Sequence, residues 1–437
     1  MLLQSHFIEF LARQSKFVRR KSMLGGEHFA KMMIFTQGSL ADTALWETCE
    51  ELCYNTGIKI KKQSLHERFN EHATTFLKLL LENVLARQID SDVFKDLFPN
   101  QKGVKIKDST SFQLPEHLRD IYPGSGGKTS SACVKIQFEY DLKSGKITDL
   151  SIGGFTTTDL ANSHQSKDSI EATDLLIRDL GYVGLGFLST IQEKQAFFLN
   201  RIKSNVSLWS KNKKGLFEPL NLGKIEKQMR KSKTATKQFT VHLGKEKRVA
   251  CRLIIECLPA KVITEKLRRA KRAAQREGRT LGKDTLSRIG LNLFVTNMSD
   301  EDLPIKNVWP LYRLRWQIEL VFKVFKSVAQ IDKIKKVNRY RFECYLYGKL
   351  LWAILGWEVY WKLTRSISDS DKTISINKMM KSFRRLCWHL TSQSNKTMKE
   401  KAEMLESFIA SVIVNCLLEK RKGKLSSMKI IEELCRI

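Results

Sequence analysis

The sequence lacks the features that would place the chain in a membrane or outside the cell. Its longest strongly apolar stretch, "LLWAILGWEVYW" at 350–361, is too short to span a bilayer and contains Glu358. The amino terminus carries its positive charges after its apolar residues and has no small-residue cleavage site, which is the wrong order for a signal peptide. We therefore expect a cytoplasmic protein with no membrane partner.

Metal-binding cysteine patterns are also absent. The nine cysteines form no CxxC motif and no Cys/His cluster at zinc spacing. Without such a pattern, we expect these cysteines to be reduced residues of the core.

Acidic side chains are scarce relative to basic ones. The chain has 46 Asp and Glu against 76 Lys and Arg, a net charge of +30, which attracts polyanions and makes nucleic acid the expected partner. Residues 201–290 hold 25 Lys and Arg against 7 Asp and Glu, a surplus of 18. Strand-like runs such as "QFTVHLG" and "VACRLIIECL" in this segment favour a folded, DNA-facing insertion over a solvated basic loop.

Hydrophobic periodicity predicts helical ends and a mixed α/β middle. In the amino-terminal region, Ser39 with Asp42 and Ser64 with Glu67 have the spacing of helix capping boxes on either side of the turn "YNTGIKIKKQ". The lysines of this turn leave two readings open, a DNA-binding helix pair and an ordinary helical hairpin. From about residue 330 onward the pattern is again helical and basic.

The middle of the chain reads as alternating strands and helices, with Asp108 at the end of its first strand and Asp179 at the head of a loop. A helical pattern covers "SIEATDLLI", just before Asp179, and another lies near 188–196. The predicted strands are "VKIKD" (104–108), "ACVKIQFEYD" (132–141), "KITDLSIGG" (146–154), "FFLNRIK" (197–203) and "LNLFVTN" (291–297). The acids near the second hairpin, which we expect to be solvated, are Glu139, Asp141 and Asp149.

The segment "YRLRWQIELVFKVFK", residues 312–326, predicts one amphipathic helix with an unusual polar stripe. At 100° per residue its apolar side chains cover one broad arc, and we expect Trp316, beside the stripe, to pack in the core, with base stacking as the alternative. A surface helix with i,i+4 ion pairs is the simplest explanation of the charges. Five functional side chains share the stripe, which is roughly 80° wide: Tyr312, Arg315, Glu319, Lys323 and Lys326.

Three carboxylates could meet at one edge of the predicted sheet. Asp108 ends a strand, Asp179 follows a short extended segment, and Glu319 lies on the helix after the last strand. An oxygen-only trio of this kind suits Mg²⁺ or Mn²⁺, and two such ions can activate a nucleophile and stabilise a leaving oxygen. Spacing alone does not decide whether the three side chains meet.

The same residues resemble a known family. Tyr312, Arg315, Glu319 and Lys326 match Y-x2-R-x3-E-x6-K, the signature of bacterial DDE transposases of the insertion sequence four family. "KDST" is similar to the first-aspartate strand of that family, and "RDLGY" to its second-aspartate motif, although Leu180 stands where many members have arginine. The resemblance covers roughly residues 100–330.

The resemblance implies an RNase H-like catalytic domain interrupted by a mostly β insertion between the second aspartate and the glutamate. Asp108, Asp179 and Glu319 would be the catalytic metal ligands for Mg²⁺, with Mn²⁺ as a substitute. The residues implied to hold phosphates of the transposon end are Tyr312, Arg315, Lys323 and Lys326. The expected regions are 1–100, helical and DNA-binding; 101–203, catalytic; 204–288, the basic β-rich insertion; 289–330, catalytic; and 331–437, helical and a candidate for assembly.

The function implied is that of a DNA transposase. It would bind the terminal inverted repeats of its own mobile element, cleave DNA at the repeats and join the 3′ ends to target DNA, working as a homodimer on paired ends. Its place would be the bacterial cytoplasm, at the nucleoid. Two alternatives stay open: a metal-dependent nuclease without strand transfer, and a non-catalytic basic DNA-binding protein descended from a transposase.

Overall fold

The computed structural model describes residues 4–20, 22–88, 94, 96–126, 131–202, 206–246, 249–278, 280–367, 373–392, 397–418 and 427–435. Helices flank a single sheet, and long helices dominate both ends of the chain. The α-helices are α1 Ser5–Gln14, α2 Gly26–Phe35, α3 Leu45–Thr56, α4 Lys62–Arg68, α5 Glu71–Ala86, α6 Asp159–Gln165, α7 Leu185–Glu193, α8 Leu222–Lys231, α9 Ala260–Arg276, α10 Lys283–Ile289, α11 Ile305–Arg313, α12 Trp316–Ser327, α13 Arg339–Ser366, α14 Ile376–Ser392, α15 Met398–Asn415 and α16 Ser427–Leu434.

The sheet has ten strands of mixed direction in the order β3-β2-β1-β4-β5-β10-β9-β8-β6-β7. Strands β1 to β3 form an antiparallel meander, β4 and β5 run parallel to β1, and β10 returns antiparallel to β5. This arrangement confirms the predicted RNase H-like mixed-sheet class. The strands are β1 Val104–Gln113, β2 Cys133–Asp141, β3 Ile147–Gly154, β4 Leu175–Arg178, β5 Phe197–Arg201, β6 Leu208–Lys211, β7 Phe217–Pro219, β8 Thr236–Leu243, β9 Val249–Cys257 and β10 Leu291–Thr296.

The basic insertion continues the sheet. Strands β6 to β9 follow β5 in the chain and lie beyond β10, because β9 pairs with β10 along its length. The helices α8, α9 and α10 belong to the same segment, so it contributes both strands and helices. A hydrophobic core on this side joins Leu176 and Phe198 of the catalytic strands to Val241 and Leu253 of the insertion.

A larger hydrophobic core covers the other face of the sheet and reaches both ends of the chain. Helix α13 lies at its centre and contacts α2, α5 and α14. Its Trp357 meets the rings of Phe138 and Tyr140 on β2, with ring centres 5.9 and 5.1 Å apart. The segment "LLWAILGWEVYW" is therefore mainly a buried core helix. Within the described ranges no helix is both long and apolar enough to cross a membrane.

Two local predictions are wrong. "SIEATDLLI" (169–177) is not an α-helix: Ser169 ends a short 3₁₀ turn, residues 170–174 form a loop and strand β4 begins at Leu175. This strand lies between β1 and β5, and burial on both faces gives a continuous apolar run without strand alternation. Asp108 lies within β1, not at its end. The strand runs on to Gln113 because β2 pairs with it over its whole second half.

The predicted capping boxes are also wrong. The Ser39 hydroxyl and Asp42 bond to each other in a turn two residues before the cap of α3. Ser64 lies inside α4. At the cap of α3 only half of such a box is present: the Ala44 N–H donates to the Glu47 carboxylate, and alanine has no side-chain oxygen to accept in return. The cysteines form no disulfide, as expected; Cys251, Cys344, Cys387 and Cys416 are buried and the other five are half-buried.

Candidate active site

Asp108 and Asp179 lie side by side because β1 and β4 are parallel neighbours. Lys107 pairs with Arg178 in the ladder, so the next residue on each segment is an aspartate. Asp179 keeps an extended backbone, with φ −76° and ψ 169°, before the short turn that follows. Because side chains alternate across a strand, both aspartates lie on the face that carries the larger core, together with Ile106.

Helix α12 brings Glu319 to the same face. Phe322 and Phe325 pack on Phe138 of β2, with ring centres 6.3 and 5.9 Å apart, which fixes the helix across the sheet. Glu319 lies one turn before Phe322, and its side chain is 46% exposed. The side chain therefore reaches the open end of the site, while the aspartates lie deeper.

The predicted helix over 312–326 is interrupted by one tight turn. Helix α11 ends at Arg313 and α12 begins at Trp316. The N–H groups of Leu314 and Arg315 donate to carbonyls three residues earlier, at 3.0 and 3.2 Å. In such 3₁₀ bonding the side chains three residues apart eclipse each other, which puts Tyr312 and Arg315 on one side of the turn.

This turn places Tyr312 and Arg315 between the carboxylates. The Tyr312 hydroxyl donates to Asp179 Oδ1 at 3.2 Å. The Arg315 guanidinium is almost wholly buried, pairs closely with Asp108 and lies 3.4 Å from Glu319 Oε1. One tyrosine and one arginine thus connect all three acids that the sequence predicts.

Electrostatics at the site reflect this crowding. Burial raises the pKa of Asp108 to about 6, Arg315 and the Ser109 N–H oppose the rise, and the nearby charges of Asp179 and Glu319 add to it. Burial, then Asp179, raises the pKa of Tyr312 above its usual value. Burial alone would lower the pKa of Arg315, but the surrounding acids, Asp108 foremost, raise it. The three carboxylates are therefore electrostatic neighbours.

The two lysines of the polar stripe differ. Lys323 is exposed on α12. Lys326 is half-buried and donates to the Ser111 carbonyl of β1 at 2.9 Å, so in this structure it anchors α12 to the sheet. Trp316 is 66% exposed and Leu320, one turn on, is 43% exposed. The expectation that Trp316 packs in the core is wrong, since the helix presents it to solvent beside Glu319.

The donor set fits a hard divalent cation in its chemistry, being made of carboxylate oxygens alone. The three acids do not form a preorganised metal site: among the described residues, no group of three or more Asp, Glu, His and Cys side chains is placed to hold a metal ion. Arg315 explains this, because its guanidinium stands between Asp108 and Glu319. Arg315 has to release these oxygens before the three acids can share a cation.

A second group of charged residues lies behind the aspartates, and the sequence reading misses it. Glu139, Asp141 and Asp149 are not solvated: their exposed fractions are 1% and 7% for the first two residues and 16% for the Asp149 side chain. Glu139 and Asp149 pair with Arg178 and Lys107, and Asp141 accepts from the Val104 N–H. A signal was present in the sequence, since Lys107 and Arg178 each precede an aspartate by one residue and must face the opposite side.

Comparisons with known proteins agree with this geometry. A family model described as the transposase DDE domain matches residues 99–355. The chain belongs to the bacterial DDE transposases. The matched range contains all three acids and the turn between α11 and α12, and the resemblance to the insertion sequence four family is confirmed. The transposase is a metal-dependent enzyme, because domains of this family work with divalent metal ions.

Several curated relatives are similar to this transposase over most of its length. The transposase of insertion sequence element IS231F from Bacillus thuringiensis subsp. israelensis is 32% identical over 380 residues, which cover 84% of this chain and 80% of the relative. The IS231E transposase of Bacillus thuringiensis subsp. finitimus is 31% identical over 388 residues, covering 85% and 80%. The IS1151 transposase of Clostridium perfringens is 28% identical over 380 residues, covering 84% and 80%.

Proposed function

We propose that this transposase binds the terminal inverted repeats of its own element, cleaves phosphodiester bonds there by two-metal-ion chemistry and joins the 3′ ends to target DNA. The observation that carries the proposal is the meeting of Asp108, Asp179 and Glu319 around Arg315 and Tyr312. The three acids come from a strand, a strand end and a helix, far apart in the sequence of a strongly basic chain, and they are connected by contacts with Arg315 and Tyr312.

In the proposal Asp108, Asp179 and Glu319 hold Mg²⁺, or Mn²⁺ as a substitute. When bound, such ions activate water or a 3′-hydroxyl and stabilise the leaving oxygen. Tyr312 orients the Asp179 carboxylate through its hydroxyl. Arg315 neutralises the acids while they are close together, and its guanidinium can transfer to a phosphate, two of whose oxygens can likewise accept from two N–H donors.

The DNA contacts that we propose next to the three acids extend along α12. Lys323 is exposed on the same face as Glu319, which supports a role in binding a phosphate of the transposon end. Lys326 would reach DNA only after leaving the Ser111 carbonyl. Exposed Trp316 adds an aromatic surface on which an unpaired base can stack. The partner is double-stranded DNA, both the transposon ends and the target.

The proposed working form is a homodimer on two paired ends, in the bacterial cytoplasm at the nucleoid. The end of helix α15 supports this, because Ile413 and Val414 there are 44% and 75% exposed, and Leu418 just beyond the helix is 48% exposed. Apolar side chains that are exposed together mark association surfaces more often than isolated ones do.

Strand transfer separates this function from that of a nuclease. Precut ends with free 3′-hydroxyls are supplied with an intact second duplex and Mg²⁺, and joined products are measured on a denaturing gel. We expect joining by the wild-type chain and none by Asp179→Asn. Cleavage of uncut ends without joining of precut ends would assign a nuclease. Binding without either reaction, in Mg²⁺ and in Mn²⁺, would assign a DNA-binding protein.

A further inference from the structure

Four buried charges form a row across the sheet behind the aspartates. In the strand registers, Asp149 of β3 pairs with Glu139 of β2, Glu139 with Lys107 of β1, and Lys107 with Arg178 of β4. The row therefore reads acid, acid, base, base across four neighbouring strands. All four side chains lie on the sheet face opposite to Asp108, because each cation directly precedes an aspartate.

The four side chains of the row form two ion pairs, and each pair joins two strands that are separated by one strand. Arg178 Nη2 lies 2.7 Å from Glu139 Oε2, and both side chains are at most 2% exposed. Lys107 Nζ lies 2.5 Å from Asp149 Oδ2, and the Lys107 side chain has no exposed surface. Each pair spans the strand between its members, so the two pairs together hold β1 to β4 at one relative position.

Helix α6 covers the row and contributes hydroxyl partners. The Ser163 hydroxyl accepts from Arg178 Nη1 at 3.1 Å, and Ser166 accepts from Lys107 Nζ at 3.1 Å. Arg178 also lies over the Phe187 ring of α7, 4.9 Å from its centre. The cations are therefore fixed from above by helices as well as from the sides by acids.

Stability is a poor explanation for such a row. Removing charges from water costs several kcal/mol per ion, and well-packed apolar residues can replace buried ion pairs with no loss of stability. Burial would raise the pKa of Glu139, but the charges of Arg178 and Lys107 outweigh it and lower the pKa. A geometric role remains, since directional ion pairs define strand position more sharply than apolar contacts do.

We propose that Lys107 and Arg178 are positioning residues that set the spacing of Asp108 and Asp179 from the opposite face of the sheet. Each aspartate shares a peptide link with a cation that cannot move without breaking its ion pair. The spacing of the two carboxylates then fixes how well they share a divalent cation. This inference rests on the proposed function, because it takes the two aspartates as metal ligands.

The test replaces one ion pair by apolar residues of similar size. In Arg178→Met with Glu139→Leu, folding should survive, and the melting temperature should stay within a few degrees of wild type. Mn²⁺ affinity of the full chain, measured by electron paramagnetic resonance, should fall by roughly 10-fold to 100-fold, as when outer partners of metal ligands are lost. The metal concentration for half-maximal cleavage should rise with it, while end binding is unchanged.

A matched control uses another buried ion pair, between Lys105 of β1 and Asp174, the residue before β4. Lys105 Nζ lies 2.5 Å from Asp174 Oδ2, three and five residues before the two aspartates. Lys105→Met with Asp174→Asn should leave the Mn²⁺ affinity unchanged, whatever it does to the melting temperature.

If the Arg178 pair variant does not fold, Lys107→Met with Asp149→Asn replaces the second ion pair of the row. This variant should show the same loss of Mn²⁺ affinity.

Two results separate the inference from the proposed function. If wild type binds Mn²⁺ and Asp108→Asn does not, the metal site is established. Wild-type affinity in the ion-pair variants, or an equal loss in the Lys105 control, would then overturn the positioning role. If Mn²⁺ binding does not depend on Asp108 at all, the metal site itself is wrong, and the proposed function fails with it.

Discussion

Ionised Asp108 is unfavourable in the folded chain, and this gives a stability prediction. Burial raises its pKa from 3.8 to about 6 despite Arg315. The stabilising contribution of the neutral carboxyl is present below about pH 4 and lost as the pH rises through about 6. Between pH 4 and 7, Asp108→Asn should thus gain stability relative to wild type, by about 3 kcal/mol at most. Urea unfolding at each pH measures this difference.

The control for the pH experiment is Asp120→Asn, because the Asp120 side chain is 89% exposed. Its stability should follow that of the wild type at every pH. A difference between Asp108→Asn and wild type that stays constant from pH 4 to 7 would contradict the raised pKa.

Single residues of the site were predictable where the motif fixed them, but their surroundings were not. Arg315 contacts Asp108 and Glu319, and Tyr312 contacts Asp179, which the spacing alone could not decide. The catalytic role of the three acids stays a prediction. The exposure of Trp316 was not predicted, because a helical wheel gives angles but not which side a sheet covers. The burial of the acids on β2 and β3 was also missed, since their cationic partners lie on distant strands.

At the scale of elements, the sequence predicts strands and helices with regular hydrophobic periodicity. It does not predict elements that depart from this periodicity. Strands β2, β3 and β10 lie where alternation predicted them. The sequence predicts one continuous helix through the turn between α11 and α12. The backbone of Leu314 and Arg315 does stay in the helical region of φ and ψ. Only the hydrogen bonds are tightened there, and no sequence signal distinguishes the two patterns.

Two exposed basic elements of the insertion should add affinity for DNA of any sequence. The hairpin of β6 and β7 presents Lys211, Lys213 and Lys214, and helix α9 buries only Ala274. Changing the three lysines to Ala should weaken binding to all duplexes. It should also reduce the slope of log K against log salt by up to about 3, at roughly 0.9 per phosphate contact. Binding titrations at several salt concentrations measure the slope.

The control for this experiment changes two cations on another element. Exposed Lys399 and half-buried Lys401 of α15 lie far along the chain from the insertion, and their replacement by Ala should leave the slope as it is. An unchanged slope in the hairpin variant, or an equal change in the α15 variant, would show that the hairpin does not contact phosphates.

At the scale of the whole molecule, helix α13 joins parts that the sequence suggested as separate regions. It packs on α2 and α5 of the amino-terminal region and on β2 of the catalytic sheet. The apolar pattern of α13 indicates a buried helix. It does not indicate which elements pack around that helix, because apolar side chains cover most of its circumference. The region boundaries near 100 and 330 stay predictions, and cutting the chain at 330 would remove part of the core.

Assembly is therefore better tested with a point substitution on α15. Val414 is 75% exposed, so Val414→Asp should leave folding and single-end binding intact but weaken the paired-end complex in a native gel at least tenfold. Ser407→Asp, an exposed site on the same helix, should have no effect. Normal pairing by Val414→Asp would exclude this end of α15 from the dimer contact.

Cleavage by Glu319→Gln tests the central claim most directly. The substitution keeps the size of the side chain and removes the charge that a metal ligand needs, and Glu319 is exposed enough for folding to survive. The measurement is cleavage of a labelled transposon end in Mg²⁺ and in Mn²⁺, with gel-shift binding and thermal melting as controls. We predict a fall of several orders of magnitude with end binding retained. Asp108→Asn and Asp179→Asn should match it, and combining them should add little. Near-normal cleavage by a folded Glu319→Gln variant would mean that Glu319 is only a surface ion-pair partner of Arg315, and it would contradict the assignment of Glu319 as a metal ligand.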